Sequence, residues 1–379
     1  MKPYRILILG AYGNFGRRLS ARLARVPDLE LLLAGRSGQK AEQLVATLRT
    51  GGASAHCTPL VIDAQSATLP AELKESGAQL LIHTGGPFQG QDYRVARACL
   101  AAGLHYIDLA DGRDFVTGIS QLDAEARAQD RVVISGASSV PGLSSAVMQA
   151  LSADLAQVDR IDIAIAPGNR TERGEATVAA ILSYVGKPSQ IWQGGRWRTV
   201  YGWQNLHRHS FPAPVGRRWL AHCDVPDLSL FPEHYRGVQS VQFSAGLELS
   251  FLHLGLYGLS WLRRLGWVRD WSRHAGRLAR MSRWFERFGS DSGGMVVTVA
   301  GRDHAQQVRC QQWQLLAGSG DGPFVPTIAA AVLAKKLASG AAMISGARPC
   351  LEQFTLAEFV AEARDLDIHF RCDERPTHD

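Results

Sequence analysis

The apolar run Ile6-Leu7-Ile8-Leu9 leads straight into Gly10-Ala11-Tyr12-Gly13-Asn14-Phe15-Gly16, and this junction constrains the fold more than any other stretch. A short, wholly apolar run reads as a strand buried on both faces. Glycines at G-x-x-G-x-x-G spacing then let the backbone turn sharply into a helix. That helix is expected over Arg17 to Arg25, with Leu19 and Leu23 on one face, and Leu29 to Ala34 follows as a second strand. Strand, glycine turn, helix and strand open a dinucleotide-binding unit. The amide N–H groups and the positive end of the helix face a pyrophosphate that glycine allows to come close. The spacing is not the strict G-x-G-x-x-G, so the flanking order carries the reading; a glycine turn that only packs helix on strand is the competing one. Gly10, Tyr12, Gly13, Asn14, Phe15 and Gly16 are the expected cofactor-binding residues of this turn.

The end of the second strand distinguishes between dinucleotides. An NAD site places a carboxylate there to hold the ribose hydroxyls, whereas this chain has Gly35-Arg36-Ser37. A guanidinium can fork onto phosphate oxygens or stack on adenine, and a hydroxyl can donate to the same oxygens, so Arg36 and Ser37 favour NADP over NAD. Arg36 as a solvated turn residue is the plainer alternative.

Strands and helices go on alternating as far as Ser135. Strands are expected at Ala55 to Ile62, Gln79 to Thr84, His105 to Leu109 and Arg131 to Ser135, with helices between them. This predicts an α/β, Rossmann-type, doubly wound parallel sheet, with ligands beyond the carboxyl ends of the strands. The loops to watch are Asp63-Ala64, Gly85 to Phe88 and Asp108 to Asp114.

At those loops the chain resembles a known family. Gly85-Gly86-Pro87-Phe88, the run Val95 to Leu109 and the later Gly136-Ala137-Ser138-Ser139-Val140-Pro141-Gly142 look like the saccharopine dehydrogenase-like NADP-binding domain. The resemblance implies that Gly85, Gly86, Pro87 and Phe88 neighbour the nicotinamide and that Asp63 lies near the adenine. It also implies that a helix at 326–339 packs back onto the cofactor domain. Saccharopine-type enzymes tend to carry an acidic residue before that Pro-Gly, where this chain has Ser139-Val140. The family also includes lipid-acting enoyl reductases, so the resemblance specifies the cofactor more closely than the substrate.

The second half changes texture. Alternating strands with few helices between them, as at Ile161 to Ile165 and Met295 to Ala300, predict a second α+β domain with a mixed or antiparallel sheet. The expected division is a cofactor domain over 1–145, a substrate and dimerisation domain over 146–325 and a C-terminal extension over 340–379. Within the second domain, 246–289 stands apart. Phe251 to Leu262 is almost wholly apolar, and a single helical projection from Trp267 to Phe288 separates aromatic and aliphatic residues, Trp284 excepted, from arginines. Such a pattern suits a membrane surface or a lid over a greasy substrate, or else an ordinary surface helix.

Composition excludes little. A net charge of +6 suits a polyanionic cofactor but lacks the density of a nucleic-acid tract, and six scattered cysteines without a C-x-x-C pair indicate neither a metal site nor a disulfide framework. A cytoplasmic homodimer, peripheral to the inner face of a membrane, is the expectation.

Hydride transfer asks the protein to position a substrate carbon and handle one proton. The candidates for the proton are Asp108, Asp111 and His83, with Asp114 nearby, whereas His207 and His209 have a spacing too common to mark a metal. The expected function is an NADP-dependent oxidoreductase acting on a hydrophobic or lipid-linked small molecule. The alternatives are an amino-acid or polyamine dehydrogenase, or a non-catalytic NADP-binding protein.

Overall fold

A computed structural model of the chain describes residues 3–172 and 174–374, which fall into two compact units. The chain first lays down β1 (Tyr4–Leu9), α1 (Asn14–Leu23), β2 (Leu29–Gly35), α2 (Gly38–Thr50), β3 (His56–Val61) and α3 (Leu69–Glu75). Next come β4 (Leu80–His83), α4 (Arg94–Ala102), β5 (His105–Asp108), α5 (Arg113–Gly118), α6 (Asp123–Ala128) and β6 (Val132–Ser135). The middle of the chain forms α7 (Ser144–Leu151), β7 (Leu155–Ala166), α8 (Glu175–Tyr184), β8 (Pro188–Gln193), β9 (Trp197–Tyr201), β10 (His207–Ser210) and β11 (Arg217–His222). It continues with α9 (Asp227–His234), β12 (Ser240–Ala245), α10 (Ser250–Arg264), α11 (Ala275–Arg283), β13 (Gly293–Asp303) and β14 (Val308–Ala317). The last elements are α12 (Val325–Ala338), β15 (Gly346–Pro349), α13 (Leu356–Glu362) and β16 (Ile368–Glu374).

The first unit joins Met1–Leu143 to Pro323–Glu362. Its seven strands run in the order β15-β6-β5-β4-β1-β2-β3, all parallel. Apart from the extra edge strand this is the Rossmann order, with the topological switch between β1 and β4. The inner strands are apolar along their length because helices cover both faces: Ile6, Leu7, Ile8, Leu80, Leu81 and Ile82 have no exposed surface. α12 packs against α1 and α13, and its Ala329, Ala330, Ala331 and Ala334 are fully buried. Small side chains let that helix lie close. The Glu362 carboxylate ties the three helices together, meeting Arg22 of α1 at 3.1 Å and Lys335 of α12 at 2.6 Å.

The second unit, Ser144–Gly322 with Ala363–Asp379, is built on a nine-stranded mixed sheet. β7 lies centrally, parallel to β12 and antiparallel to β13, and β14 and β16 continue the antiparallel side. Five helices, α7 to α11, accompany this sheet, more than its sequence texture suggests. One apolar cluster gathers Leu182, Val185, Trp203 and Ala275, with Leu256 and Leu259 of α10 and Trp271 and Leu278 packed against it.

Two expectations need correction. Over the described part of 340–379, residues 340–374, there is no separate extension: β15 pairs with β6 in the first sheet, and β16 pairs with β14 in the second, while 375–379 lie outside the described residues. Both are short edge strands whose pairing is not encoded locally. Nor is Trp267 to Phe288 one helix. Gly266 takes φ +83° after α10, a loop and a short 3₁₀ turn follow, and α11 covers only Ala275–Arg283. A left-handed glycine ends a helix cheaply, and the continuous projection overlooked it. The break sorts the tryptophans: Trp271 packs inward and its indole N–H donates to the Leu259 carbonyl at 2.9 Å, whereas Trp267 is 77% exposed.

Candidate functional site

The register of the parallel sheet brings four strand ends to one level. Leu9 pairs with Ala34 on one side and His83 on the other, and His83 pairs with Asp108. Loops leaving these ends share the edge at which open α/β sheets bind ligands.

The turn from β1 to α1 is closed around its glycines. Gly10 has φ +86°, and a Cβ there would stand 2.9 Å from the Thr84 hydroxyl oxygen and 3.2 Å from the Gly85 nitrogen. At Gly16 a Cβ would collide with the Gly10 carbonyl oxygen. The Gly13 N–H donates to that same oxygen at 2.9 Å, closing the turn, and Gly13 then caps α1. No side chain caps this end and no acid occupies its first turn, which leaves it electropositive toward a phosphate. The Thr84 hydroxyl, lying within reach of the Leu9 and Gly10 carbonyls at 3.0 and 3.1 Å, pins the turn to β4. Sequence reasoning missed Thr84, whose role is set by strands that are neighbours only in the fold.

At the end of β2, the Tyr12 ring lies over Gly35, where a Cβ would meet the ring at 2.6 Å. The Tyr12 hydroxyl accepts the Ser37 N–H at 3.0 Å. Arg36 is exposed beside it, and the Lys40 ammonium sits 5.9 Å from the Tyr12 ring centre. Ser37 caps α2, its hydroxyl oxygen accepting the Lys40 N–H at 3.4 Å, which leaves the hydroxyl proton available to a ligand. Lys40 is a cation that the sequence reading did not select, although its place in the first turn of α2 is a readable signal. Asp63 is exposed beyond β3, and its carboxylate accepts the Gln65 N–H at 3.0 Å. A turn that only glycine fits, two cations at the second strand's end and no carboxylate between Gly35 and Lys40 together fit a dinucleotide carrying an extra phosphate.

The Gly85 to Phe88 loop is held by Gln91, whose amide donates to the Gly85 carbonyl at 3.0 Å and the Pro87 carbonyl at 2.7 Å. Gly85, Gly86 and Pro87 keep accessible backbone, whereas the Phe88 ring turns into the core against His83 and Phe115, 5.1 and 5.3 Å between ring centres. A Cβ on Gly85 would approach the His83 imidazole to 3.1 Å. His83 is itself buried, with Nδ1 3.3 Å from the Tyr106 hydroxyl, and burial holds it down at about 4, so it is neutral at pH 7.

The three acids after β5 separate by environment. Asp108 has no exposed surface; it accepts the Gly136 N–H at 2.8 Å, the Ala110 N–H at 2.9 Å and the Ser135 hydroxyl at 3.0 Å. Burial outweighs those donors and pushes its carboxyl up to about 6. It staples two loops together from inside. Asp114 is exposed in the first turn of α5. Asp111 is half-buried, accepts the Gln89 amide at 3.0 Å, and is raised above the usual carboxylate range by burial. Of the candidates, Asp111 alone combines access, a tether to the Gly85 loop and a raised pKa. No group of side chains able to hold a metal ion occurs among the described residues.

Comparison with known proteins agrees with this geometry. Residues 6–135 match the saccharopine dehydrogenase NADP binding domain family. Over 111 residues the chain is 33% identical to a Mycobacterium tuberculosis protein described as a candidate trans-acting enoyl reductase; the match takes in 28% of this chain and a quarter (25%) of that relative's length. Among solved structures, the fold resembles apo saccharopine dehydrogenase (L-Glu forming) from Saccharomyces cerevisiae, with a TM-score of 0.72 at 12% identity over 98% of this chain and 100% of that one. An amine dehydrogenase from Mycobacterium smegmatis follows at TM-score 0.50 and 9% identity, over 90% of this chain and 94% of that one. Strand order, glycine turn, cation pair and family match converge on the first unit: residues 6–135 match the NADP binding domain of the saccharopine dehydrogenase family and form a sheet of Rossmann order.

Proposed function

We propose that this protein is an NADP-dependent oxidoreductase acting on a hydrophobic or lipid-linked small molecule. The observation that carries the proposal is the single edge at which the glycine turn, the Arg36 and Lys40 cations and the half-buried Asp111 are gathered. The α1 amides hold the pyrophosphate, and Arg36, Ser37 and Lys40 take the 2′-phosphate. When bound, the cofactor supplies or accepts a hydride at its nicotinamide ring. The open backbone of Gly85 and Gly86 leaves room for that ring, and Asp111, its proton held more tightly than an ordinary carboxyl's, gives or takes the proton that balances the transfer. Asp108 and neutral His83 keep the loops in place. The hydrophobic substrate class draws support from the enoyl reductase relative and from the apolar surface of α10.

Two measurements test this. Fluorescence titration should show NADPH bound more tightly than NADH, and Arg36→Asp should weaken NADPH by about 1.5 to 3 kcal/mol while sparing NADH. Equal affinities in the wild type would overturn the cofactor preference. For the substrate, NADPH deuterated at the transferring position is incubated with the protein and a whole-cell extract. Label entering solvent-extractable lipid, and lost with Asp111→Asn, supports the reading. Label confined to water-soluble amines or amino acids would favour the dehydrogenase alternative, and label in neither fraction would leave a non-catalytic NADP-binding protein.

A further inference from the structure

Helix α10 is inverted relative to the usual surface helix. Its outward stripe, Phe251, Leu254, Gly258, Trp261 and Leu265, recurs at helical spacing and contains no charge, although all five are exposed. Its inward residues include Leu256 and Leu259 on the apolar cluster and the buried His253 and Ser260. A helix that is apolar on both faces is normally covered on both. Across the junction formed by the Phe251 and Phe285 rings, 5.0 Å between centres, α11 and the turn after it present Arg277, Arg280, Met281, Trp284 and Phe288 outward. Eight of the twelve exposed large apolar side chains among the described residues lie between Phe251 and Phe288, with Trp267 at 77% and Trp284 at 71% exposure.

Charge is concentrated on the same segment. Residues 250–288 hold eight arginines and no lysine against Asp270 and Glu286, a net of +6, and the whole chain's net charge is also +6. The rest of the protein is therefore formally neutral, and the formal excess of positive charge falls within the segment that carries most of the exposed apolar side chains. The platform beneath is built rather than loose. The Glu248 carboxylate accepts the Asn169 N–H at 2.6 Å, the Ser290 N–H at 2.8 Å and an Arg218 N–H at 3.0 Å. The Asn169 amide in turn donates to the Phe285 and Phe288 carbonyls at 2.7 and 3.0 Å, fixing the end of the α11 region.

We infer that α10, α11 and the loop between them dock this protein on an anionic phospholipid surface, lying in the interface without crossing it. α10 has 15 residues, about 22 Å of helix, short of the roughly 30 Å of bilayer hydrocarbon, and no described helix is long and apolar enough to cross. Tryptophan and phenylalanine enter the headgroup boundary while arginine stems bury alongside and their guanidinium groups meet lipid phosphates. Charge decides between lipid and a second copy of the chain. An isologous contact would set the exposed Arg269, Arg273, Arg277, Arg280 and Arg287 against their own copies, whereas an anionic leaflet neutralises them.

The test is cosedimentation of the full chain with vesicles of phosphatidylcholine plus phosphatidylserine, and with vesicles of phosphatidylcholine alone, in parallel with NADPH titration. The wild type should sediment with the anionic vesicles, weakly or not at all with the neutral ones, and less as salt rises. Trp267→Glu combined with Trp284→Glu should reduce anionic-vesicle binding by about tenfold or more with melting temperature and NADPH affinity unchanged, since both side chains are exposed. Arg277→Glu with Arg280→Glu provides a second variant, confined to exposed positions. A wild type that does not sediment with anionic vesicles at low salt would overturn the inference, as would variants that bind as well as wild type. A dimer that the tryptophan variant dissociates, without vesicle binding in either form, would assign the surface to a second copy. Because the NADPH titration is read on the same samples, failure of docking and failure of the oxidoreductase reading are distinguishable.

Discussion

The first unit and the helical pair of the second handle apolar residues in opposite ways. In the parallel sheet, apolar runs are covered on both faces, and among the described residues of that unit only two large apolar side chains, Val61 and Ile344, rank among the strongly exposed. In α10 and α11 the sequence is as apolar in places, yet half of it faces outward beside arginines. Hydrophobicity alone therefore does not say what is core. Where strands supply closed hydrogen-bonded layers, apolar residues pack inward; where two short helices cap a finished sheet, the second apolar face has nothing of its own unit left to cover it.

The contrast can be strained first at the glycine turn. Gly16→Val drives a side chain into the Gly10 carbonyl and to 2.8 Å from the Thr84 hydroxyl, and should cost about 3 kcal/mol or more of stability together with all NADPH binding. Gly13→Val faces a milder 3.1 Å approach to the same carbonyl, so it should leave the melting temperature within a few degrees while abolishing NADPH affinity. Calorimetry with cofactor titration separates the two. Matched losses of stability would mean that the turn is purely a packing device.

Next come the two tryptophans that one helical projection put on the same face. Trp271→Glu introduces a charge into the packed cluster and breaks the indole hydrogen bond to Leu259, so denaturant unfolding should show a loss of about 3 kcal/mol. Trp267→Glu should stay within about 0.5 kcal/mol of wild type. If the two cost the same, the break at Gly266 does not divide core from surface as described.

The smallest effect concerns the buried acids. Asp108 in the first unit has three donors and is pushed up to about 6; Asp227 in the second, fully buried and accepting from the Ser144 hydroxyl, is pushed up to about 7. An acid whose folded pKa is raised keeps its full contribution below the unfolded value near 4 and loses it as pH climbs through the folded one. The buried His222 and His253, held down at about 4, act in the reverse sense, adding stability as pH rises from there to the ordinary histidine range. Asp227→Asn removes one titration and should gain on wild type by of the order of 2 kcal/mol between about pH 4 and about pH 8. A difference that does not move with pH would mean that Asp227 is neutral, or charged, throughout.

Much of the first unit was legible from sequence because its signals are local. An apolar run, a glycine spacing and an alternation of strand and helix all lie within about thirty residues, and each dictates backbone geometry where it stands. The Arg36-Ser37 reading is local for the same reason, as a single strand end sets it. Asp111 could be nominated but not chosen over Asp108, because burial and donor count depend on Gln89, Ser135 and Gly136, which reach the acids only through the fold.

By itself, then, the sequence determined a dinucleotide-binding α/β unit, its preference for an extra phosphate and a second α+β unit whose sheet it left as mixed or antiparallel. Tertiary structure alone decided that Thr84 pins the glycine turn, that Lys40 lies against the Tyr12 ring, that β15 and β16 each add an edge strand to a different sheet, and that Trp271 is core while Trp267 is surface. The reason is physical. Backbone conformation follows from neighbours in the chain, whereas burial, pairing and the free energy of a charge follow from neighbours in space, and a one-residue event such as the left-handed turn at Gly266 is enough to reassign them.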